Sequence, residues 1–377
     1  MESPRRRPPL SALPADVVAL EDYARLVPEF LAPPVLAWLE GGSGDGQALR
    51  ANREAFARHA ILPRLLVDTT AGHTRRRLFG RELVHPILCA PIGYQRLLHP
   101  EGECEAARGA LDTPFLISSF ASCRIADIAA AAAGPCWFQL YWQPERSQTL
   151  ALLRAAEEAG CEAIVLTLDV PVKPASRAAL RAGFALPEDV RAVNVEGFLP
   201  QAPVVVPPGE SAILRGMMRY APGPQDIAWL RAMTALPLLV KGVLHPGDAR
   251  RLVELGCDGL VVSNHGGRAL EGAPAALDRL PLIRDAVGPD LPLLLDGGLR
   301  SGGDVFKALA LGADAVLLGR PLAHGLAVAG ALGVAHVLRL LREDLELTLA
   351  LAGCPTLADI DRACLVPAFP EPFACSP

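Results

Sequence analysis

One histidine, which lies between an apolar segment and two glycines, is the first residue of this sequence with an evident chemical use. His265 lies in the string SNHGGR at 263–268, directly after an apolar stretch. Imidazole titrates near neutral pH, so a histidine fixed in such a segment can take a proton from a substrate. Asp169, in the string LTLDVP at 166–171, supplies a carboxylate able to orient the ring. The sequence therefore predicts a general base at His265, oriented by Asp169.

Three further side chains could act beside this base. Lys241 ends the apolar run LPLLV, and burying an ammonium without a partner or ligand is costly. A Schiff-base lysine and a cation beside a flavin or phosphate both remain open for it. Arg268 and Tyr141 are suited to recognise a carboxylate or another oxygen-bearing substrate.

Two glycine-rich turns with arginines indicate a phosphate site. Asp296 and Gly298 belong to a DGG turn, and Arg300 follows it. Gly319 and Arg320 follow the next apolar run. Glycine N–H groups can approach an anion closely, and arginine pairs with it.

The elements that must position these residues are eight short apolar runs. Each is continuous rather than alternating, as in strands buried on both faces, and most are separated by stretches of helical length. The pattern predicts an α/β fold, a (β/α)₈ TIM barrel, whose strand ends carry the chemistry. The runs are His85–Gly93, Phe115–Phe120, Cys136–Trp142, Ala163–Val170, Leu236–Val243, Gly259–Gly266, Leu291–Gly297 and Ala315–Gly319.

The rest of the chain divides around this barrel. Residues 1–14 are rich in Pro and Arg and are expected to be disordered, and residues 15–377 to form a single barrel domain that opens with a helical segment. An insertion of about 171–235 follows the fourth strand, where a long loop is commonly a lid. Leu326–Gly353 is expected to form one or two closing helices.

Composition excludes several classes of protein. The 377 residues are 51% hydrophobic with a net charge of −5, which favours a large core and gives no basic surface for nucleic acid. The start lacks the apolar stretch of a secretory signal, and the longest uncharged apolar run, Gly325–Ala335, is too short to span a membrane. Nine scattered cysteines without a CxxC pair argue against a zinc site and against a disulfide framework, and we expect no bound metal. We expect a cytoplasmic protein.

Several longer strings match a known family. The chain resembles the FMN-dependent 2-hydroxy acid oxidases and dehydrogenases over about residues 35–362, and the segment APIGYQRLLHPEGE is most similar to the p-hydroxymandelate oxidase branch. SNHGGR together with DGGLRSGGDVFKALALGA is the most specific match. The other matching strings are HPEGE, FQLYW, LVKGV, LLGRP and AGCPTLADI.

The resemblance implies a role for each matching position, with FMN as cofactor, a small-molecule substrate, molecular oxygen as electron acceptor and a homotetramer. His265 would be the base and Asp169 its partner, while Arg268 and Tyr141 would hold the substrate and Lys241 would stabilise negative charge on the flavin. The cofactor would contact Gly93, Ser118, Gln139, Thr167, Lys241, Ser263, Asp296, Gly298, Arg300, Gly319 and Arg320.

Three positions depart from the family's pattern. Trp38 stands where a tyrosine usually binds the substrate carboxylate, and Ser176, with Arg177 beside it, where a second arginine is expected. Gly93 replaces the alanine common in oxidases and resembles lactate monooxygenase, which decarboxylates its product. Phe120 stands where glycolate oxidase has a tryptophan, and this difference changes only the shape of the pocket. We expect Trp38, Phe120 and Arg177 to border the substrate.

These departures leave the reaction open. The leading hypothesis is oxidation of a large or aromatic 2-hydroxy acid to the 2-oxo acid. Oxidative decarboxylation is the alternative that Gly93 favours, and oxidation of a substrate without a free carboxylate is the alternative that Trp38 and Ser176 favour. A non-catalytic flavin or phosphate-binding barrel would not need His265, Asp169, Lys241 and Arg268 together.

Overall fold

A computed structural model describes residues 4–198 and 206–368. Three helices and three short strands precede the barrel. The helices are α1 (Leu20–Leu26), α2 (Pro33–Glu40) and α3 (Gln47–Ala57), and the strands are β1 (His59–Ile61), β2 (Arg76–Leu78) and β3 (Arg81–Leu83). Strands β2 and β3 form an antiparallel hairpin, and β1 pairs with a strand at the far end of the chain, β12 (Leu365–Pro367).

Eight parallel strands then close into a barrel in chain order, each hydrogen-bonded to the next and β11 to β4. The prediction of a (β/α)₈ barrel is confirmed. Nearly every residue of these strands is buried, which explains why each reads as a continuous apolar run. The strands are β4 (Ile87–Cys89), β5 (Phe115–Ser118), β6 (Cys136–Tyr141), β7 (Ile164–Thr167), β8 (Leu238–Val243), β9 (Gly259–Ser263), β10 (Leu293–Asp296) and β11 (Ala315–Leu318).

Helices cover the outside of the barrel. They are α4 (Gly102–Gly109), α5 (Ile125–Ala131), α6 (Arg146–Glu158), α7 (Arg177–Arg181), α8 (Pro224–Met233), α9 (Pro246–Glu254), α10 (Ala276–Val287), α11 (Gly302–Ala310) and α12 (Arg320–Ala352). Single helical turns lie at Val27–Glu29, Gln95–Leu97, Ala212–Gly216, Met217–Tyr220, Leu357–Asp359 and Arg362–Cys364.

The closing helix α12 is broken near its start. Ala329 and Gly330 have non-helical backbone angles, so the segment is two helices joined by a kink. By length and composition α12 could cross a membrane, but 78% of its most apolar window is buried in the protein. This is the burial expected of a core helix that packs against the barrel.

The N-terminal segment differs from the expectation of disorder. Residues 1–3 lie outside the described residues, but the segment from residue 4 to residue 14 is fixed to the barrel by backbone hydrogen bonds. Arg6 N–H donates to Phe30 O at 2.7 Å and Leu10 N–H to Val328 O at 2.8 Å. A composition rich in Pro and Arg did not reveal these bonds, because they depend on groups far along the chain.

The insertion after β7 also needs a correction. Its last part is α8, which occupies the place of the crossover helix between the parallel strands β7 and β8. The true excursion is therefore shorter than 171–235. It contains α7 and the turns from Ala212 to Tyr220.

Candidate active site at the carboxyl ends of the strands

A cavity opens at the carboxyl ends of the barrel strands. Most residues predicted to contact cofactor or substrate line it, although they come from distant parts of the sequence. They are Trp38, Gly93, Ser118, Phe120, Gln139, Tyr141, Thr167, Lys241, His265, Arg268, Asp296, Gly298, Arg300, Gly319 and Arg320.

The predicted base faces this cavity with its partner behind it. His265 Nδ1 lies 2.8 Å from Asp169 Oδ1, and its Nε2 lies 3.4 Å from the Tyr141 hydroxyl. Burial and then the charge of Lys241 lower the pKa of His265, and together they outweigh Asp169, which raises it. The ring is therefore neutral at pH 7, with the Nδ1 proton directed to Asp169 and Nε2 able to accept a proton from the cavity.

The backbone around His265 is held in an unusual conformation. His265, Gly266 and Gly267 all have positive φ angles, of 60°, 60° and 79°. The left-handed region is sterically costly for histidine, so surrounding contacts must hold it there. His265 N–H donates to Ser263 Oγ at 2.9 Å, and Gly267 N–H donates to Asn264 Oδ1 at 2.9 Å.

A glycine in β8 makes room for the base's partner. A Cβ at Gly242 would lie 2.5 Å from Asp169 Cβ, and the φ of Gly242 is 107°. Because Gly242 has no side chain, Asp169 can lie close to both His265 and Lys241. Its second oxygen, Oδ2, is buried without a hydrogen-bond partner among the described residues and lies 4.0 Å from Lys241 Nζ.

Lys241 is buried in a polar cluster beneath the cavity. Its Nζ lies 2.9 Å from Asp296 Oδ2 and donates to Ser263 Oγ at 2.9 Å. Burial alone would lower the pKa of this lysine, but Asp296 and Asp169 outweigh it and raise the pKa. Lys241 is therefore an ammonium, which is not nucleophilic, so the Schiff-base interpretation is wrong.

Ser263 differs from its predicted place beside the cofactor. It is fully buried, lies outside the cavity lining, and its hydroxyl donates to Asp296 Oδ2 at 2.6 Å. Lys241 Nζ and the His265 N–H both donate to Ser263 Oγ, so Ser263 positions residues that do line the cavity.

Polar side chains on neighbouring strands form a hydrogen-bonded row. Ser118 Oγ donates to Gln139 Oε1 at 3.2 Å, and Gln139 Nε2 donates to Thr167 Oγ1 at 3.1 Å. The row crosses β5, β6 and β7 at the base of the cavity, where packing alone would place apolar residues. It presents the donors and acceptors that a planar heterocycle can bind edge-on.

Two arginines at the other side of the cavity create a site for an anion. Burial and neighbouring arginines lower the pKa of Arg300 to about 10 and that of Arg320 to about 10. Arg320 is fixed by donation to backbone carbonyls, including Leu39 O at 3.1 Å and Gly266 O at 3.0 Å. Like charges held together beside glycine turns favour a bound phosphate.

The arginine predicted to bind the substrate, Arg268, is held in place by carbonyl groups. Arg268 Nη1 donates to Trp38 O at 2.8 Å, to Leu39 O at 3.1 Å and to Gly41 O at 2.8 Å. Its guanidinium carbon also lies 5.5 Å from the centre of the Trp38 ring. These contacts fix the guanidinium but supply no acidic partner.

The prediction for Arg177 is wrong. Arg177 is exposed, lies outside the cavity lining and forms an ion pair with Asp45, while Ser176 caps α7 by accepting from Ala179 N–H at 3.3 Å. A Cβ at Gly41 would lie 2.3 Å from Ser176 Oγ, so the two segments are in close contact. Arg177 is turned away because it follows the cap and begins a helix on the surface.

Several residues at the site were missed from the sequence. Tyr94 and Lys173 line the cavity. Trp142, Met217 and Tyr220 line a neighbouring chamber, which shares His265, Arg268 and Lys173 with the cavity. The rarity of lysine was a signal for Lys173. Nothing in the sequence pattern pointed to Met217 and Tyr220, because they come from the excursion after β7.

The model of the family described as FMN-dependent dehydrogenase matches residues 28–367. The chain belongs to this family. It is 53% identical to an L-lactate oxidase of Alicycliphilus denitrificans, covering 95% of this chain and 99% of that protein. It is 44% identical to a 4-hydroxymandelate oxidase of Amycolatopsis orientalis, covering 90% of this chain and 96% of that protein.

Solved structures of the family agree with the fold. A mandelate oxidase with bound (S)-2-phenylpropionate superposes with a TM-score of 0.83 at 42% identity, covering 93% of this chain and 98% of that one. The protein is thus an FMN-dependent 2-hydroxy acid oxidase in fold, cofactor and reaction class, as predicted.

The residues present fit FMN. The Arg300–Arg320 pair suits its single phosphate, the Ser118–Gln139–Thr167 row suits the edge of its ring, and buried Lys241 supplies a fixed positive charge beneath the cavity. No group of three or more metal-ligating side chains occurs within residues 4–198 and 206–368.

Proposed function

We propose that this FMN enzyme oxidises a 2-hydroxy monocarboxylic acid, with His265 as the base and Arg268 as a carboxylate ligand. The observation that carries the proposal is one cavity lined both by a neutral imidazole bound to Asp169 and by Arg268, which has no acidic partner among the described residues. FMN, when bound, accepts the two electrons of the oxidation and passes them to oxygen.

Each catalytic side chain has a defined task in this proposal. His265 Nε2 accepts a proton from the substrate, and Asp169 stabilises the imidazolium that forms. The Tyr141 hydroxyl lies close enough to His265 Nε2 for both groups to contact the same substrate hydroxyl. Lys241, fixed by Asp296, stabilises negative charge at the base of the cavity.

The neighbouring chamber supports a large or aromatic substrate side chain. Apolar and aromatic residues line it, and it opens directly beside His265 and Arg268. Phe120 and Tyr141 border both spaces, with ring centres 4.9 Å apart. We propose that the substituent on the 2-carbon lies in this chamber and the carboxylate lies toward Arg268.

The decarboxylation alternative loses part of its support. A Cβ at Gly93 would lie 2.8 Å from Phe120 O, so close contact between the turns after β4 and β5 accounts for this glycine without any special product chemistry. The product distribution of the wild-type enzyme tests the alternative directly.

A substrate panel tests the proposal. The FMN-loaded enzyme is mixed without oxygen with lactate, glycolate, mandelate and 4-hydroxymandelate, and bleaching of the flavin absorbance is followed. We expect bleaching by 2-hydroxy acids, fastest for the aromatic ones, and the 2-oxo acid as product in air. Faster reduction by lactate than by mandelate would contradict the assigned chamber, and no reduction by any of the four would contradict the proposal.

We also propose a homotetramer in the cytoplasm. The homotetramer is what the family resemblance of the sequence implies, and the scattered free cysteines of the described residues support a reducing compartment. Light scattering of the purified protein should give four times the chain mass of 39.8 kDa.

A further inference from the structure

Lys173 lies at the mouth of the candidate active site. The sequence holds only three lysines, and the other two are engaged, Lys241 with Asp296 and Lys307 with the carbonyl of Phe56. Lys173 makes no hydrogen bond or ion pair with any residue in the described part of the chain. It lines both the main cavity and the neighbouring chamber.

A second cation, Arg268, lines the same two spaces as Lys173. Although Lys173 keeps an exposed face, desolvation and then the charge of Arg268 lower its pKa. The hydrogen bonds of Arg268 go to carbonyl oxygens, and it has no carboxylate ligand among the described residues. Two positive charges that share a partly desolvated space repel each other until an anion lies between them.

The backbone around Lys173 limits where the side chain can go. Lys173 lies in the string Pro171-Val172-Lys173-Pro174, and prolines on either side restrict the backbone of the residues between them. The same string begins two residues after Asp169, so it starts from the partner of the base. Farther along the chain, Ser176 caps α7 and Arg177 forms an ion pair with Asp45.

We propose that Lys173 is a second ligand of the substrate carboxylate, opposite Arg268. This rests on the proposed oxidation of a 2-hydroxy acid, and it replaces the donors that Trp38 and Ser176 do not provide. An ammonium is a compact charge without the fork geometry of guanidinium, so it holds a carboxylate without fixing its rotation. Such an anchor suits a site whose neighbouring chamber accepts side chains of different size.

Equilibrium binding of unreactive probes tests Lys173 independently of turnover. Phenylacetate and its neutral analogue phenylacetamide are titrated into the FMN-loaded enzyme, and the flavin spectrum reports binding. Loss of one charge-assisted contact weakens binding by roughly 10- to 100-fold. We expect Lys173→Met to weaken phenylacetate binding by this factor, to leave phenylacetamide unchanged, and to leave FMN content unchanged.

Two variants control the experiment. Lys173→Arg should restore most of the affinity for phenylacetate, because it restores the charge. Arg177→Met removes a nearby positive charge that is paired with Asp45 and should change nothing. Unchanged phenylacetate binding in Lys173→Met, or equal losses for the acid and the amide, would overturn the proposal. Failure of the substrate panel alone would overturn the proposed reaction and leave the binding result to decide the role of Lys173.

Discussion

The protonation state of the site is set by a few charges around one ring. Burial and Lys241 disfavour the imidazolium of His265, while Asp169 favours it, and the first two prevail. The enzyme therefore holds a ready proton acceptor at neutral pH. The fixed, positively charged Lys241 below contributes to this by making a second positive charge costly.

The pH dependence of turnover should follow from this balance. The base is active when neutral, so kcat/KM should be constant near pH 7 and fall as the pH drops through the pKa of His265, which lies below the ordinary 6.5. Asp169→Asn removes the charge that raises this pKa, so the acid limb should move to lower pH while the rate falls. An acid limb above pH 6.5 in the wild type would contradict the assignment.

Removal of the base itself should separate chemistry from cofactor binding. We expect His265→Ala to retain FMN and to lose flavin reduction by substrate by roughly 10²–10⁴-fold or more, the range of positioned acid–base catalysis. His245→Ala is a matched control, because His245 is exposed and only caps α9. Stopped-flow absorbance measures both variants, and near-normal reduction in His265→Ala would refute its role as base.

At the scale of elements, the turns after β4 and β5 are fastened together. Buried Glu103 in α4 accepts hydrogen bonds from Gln95 N–H at 2.9 Å and from the N–H and hydroxyl of Ser122 at 2.9 and 2.7 Å. Gly93 contacts the Phe120 backbone in the same place. The hydrogen bonds of the Glu103 carboxylate and the close backbone contact that Gly93 permits therefore hold this wall of the cavity together.

Glu103 should make stability depend on pH. Burial raises its pKa to about 7 from an ordinary 4.5, so its contribution is present below pH 4.5 and is lost as the pH rises through 7. Glutamine mimics the protonated acid, so Glu103→Gln should be the more stable form at pH 9, by about 3 kcal/mol at most. Urea unfolding at pH 6 and pH 9 measures the difference, and equal offsets at both values would contradict this origin.

Gly93→Ala tests the other contact. The added methyl would press on the Phe120 carbonyl, and overpacking of this kind costs about 1–3 kcal/mol. We expect lower stability and weaker FMN binding. Gly303→Ala serves as control, because its Cβ would meet only ordinary contacts, the nearest at 3.7 Å. Urea unfolding measures the stability of both variants, and an equal loss of stability in the two would contradict the packing argument.

At the scale of the whole molecule, the two ends of the barrel interior differ, because one is packed with apolar side chains and the other is lined by polar groups. A cluster of buried side chains occupies the lower interior, and Phe79 from the turn of the β2–β3 hairpin packs edge-on against Trp137 with ring centres 5.7 Å apart. The upper end holds polar groups and the cavity instead. A ligand that these groups bind adds its binding free energy to the stability of the folded protein.

Cofactor addition should therefore raise the unfolding temperature. A ligand at 100 times its Kd stabilises the folded state by about 2.7 kcal/mol. We expect FMN to raise the Tm of the apoprotein and riboflavin, which lacks the phosphate, to do so far less. Arg320→Met should reduce the advantage of FMN over riboflavin. Calorimetry measures each midpoint, and equal shifts from the two flavins would rule out the Arg300–Arg320 site.

The barrel and most of the cavity were predictable because their signals are local. Continuous apolar runs indicated the strands, and polar residues at their ends indicated the cavity. The orientation of Arg177 and the fixed N-terminal segment were not predictable, since they depend on Asp45 and Val328 in distant segments. The residues of the excursion that line the chamber lie in a segment without a periodic pattern. Ser263 belongs to a recognisable motif, but its role depends on hydrogen bonds to Asp296 and Lys241, which are distant in the sequence.

The placement of the lysines has a practical consequence for handling this protein. Lys241 is buried and Lys307 is bound to a backbone carbonyl, so Lys173 is the most reactive lysine toward acylating reagents. Dyes, biotin esters and amine-coupling surfaces would then attach at the entrance of the catalytic cavity. Labelling would inactivate the enzyme, and a bound carboxylate would protect both the amine and the activity. Immobilisation through cysteine or a terminal tag would keep the entrance open.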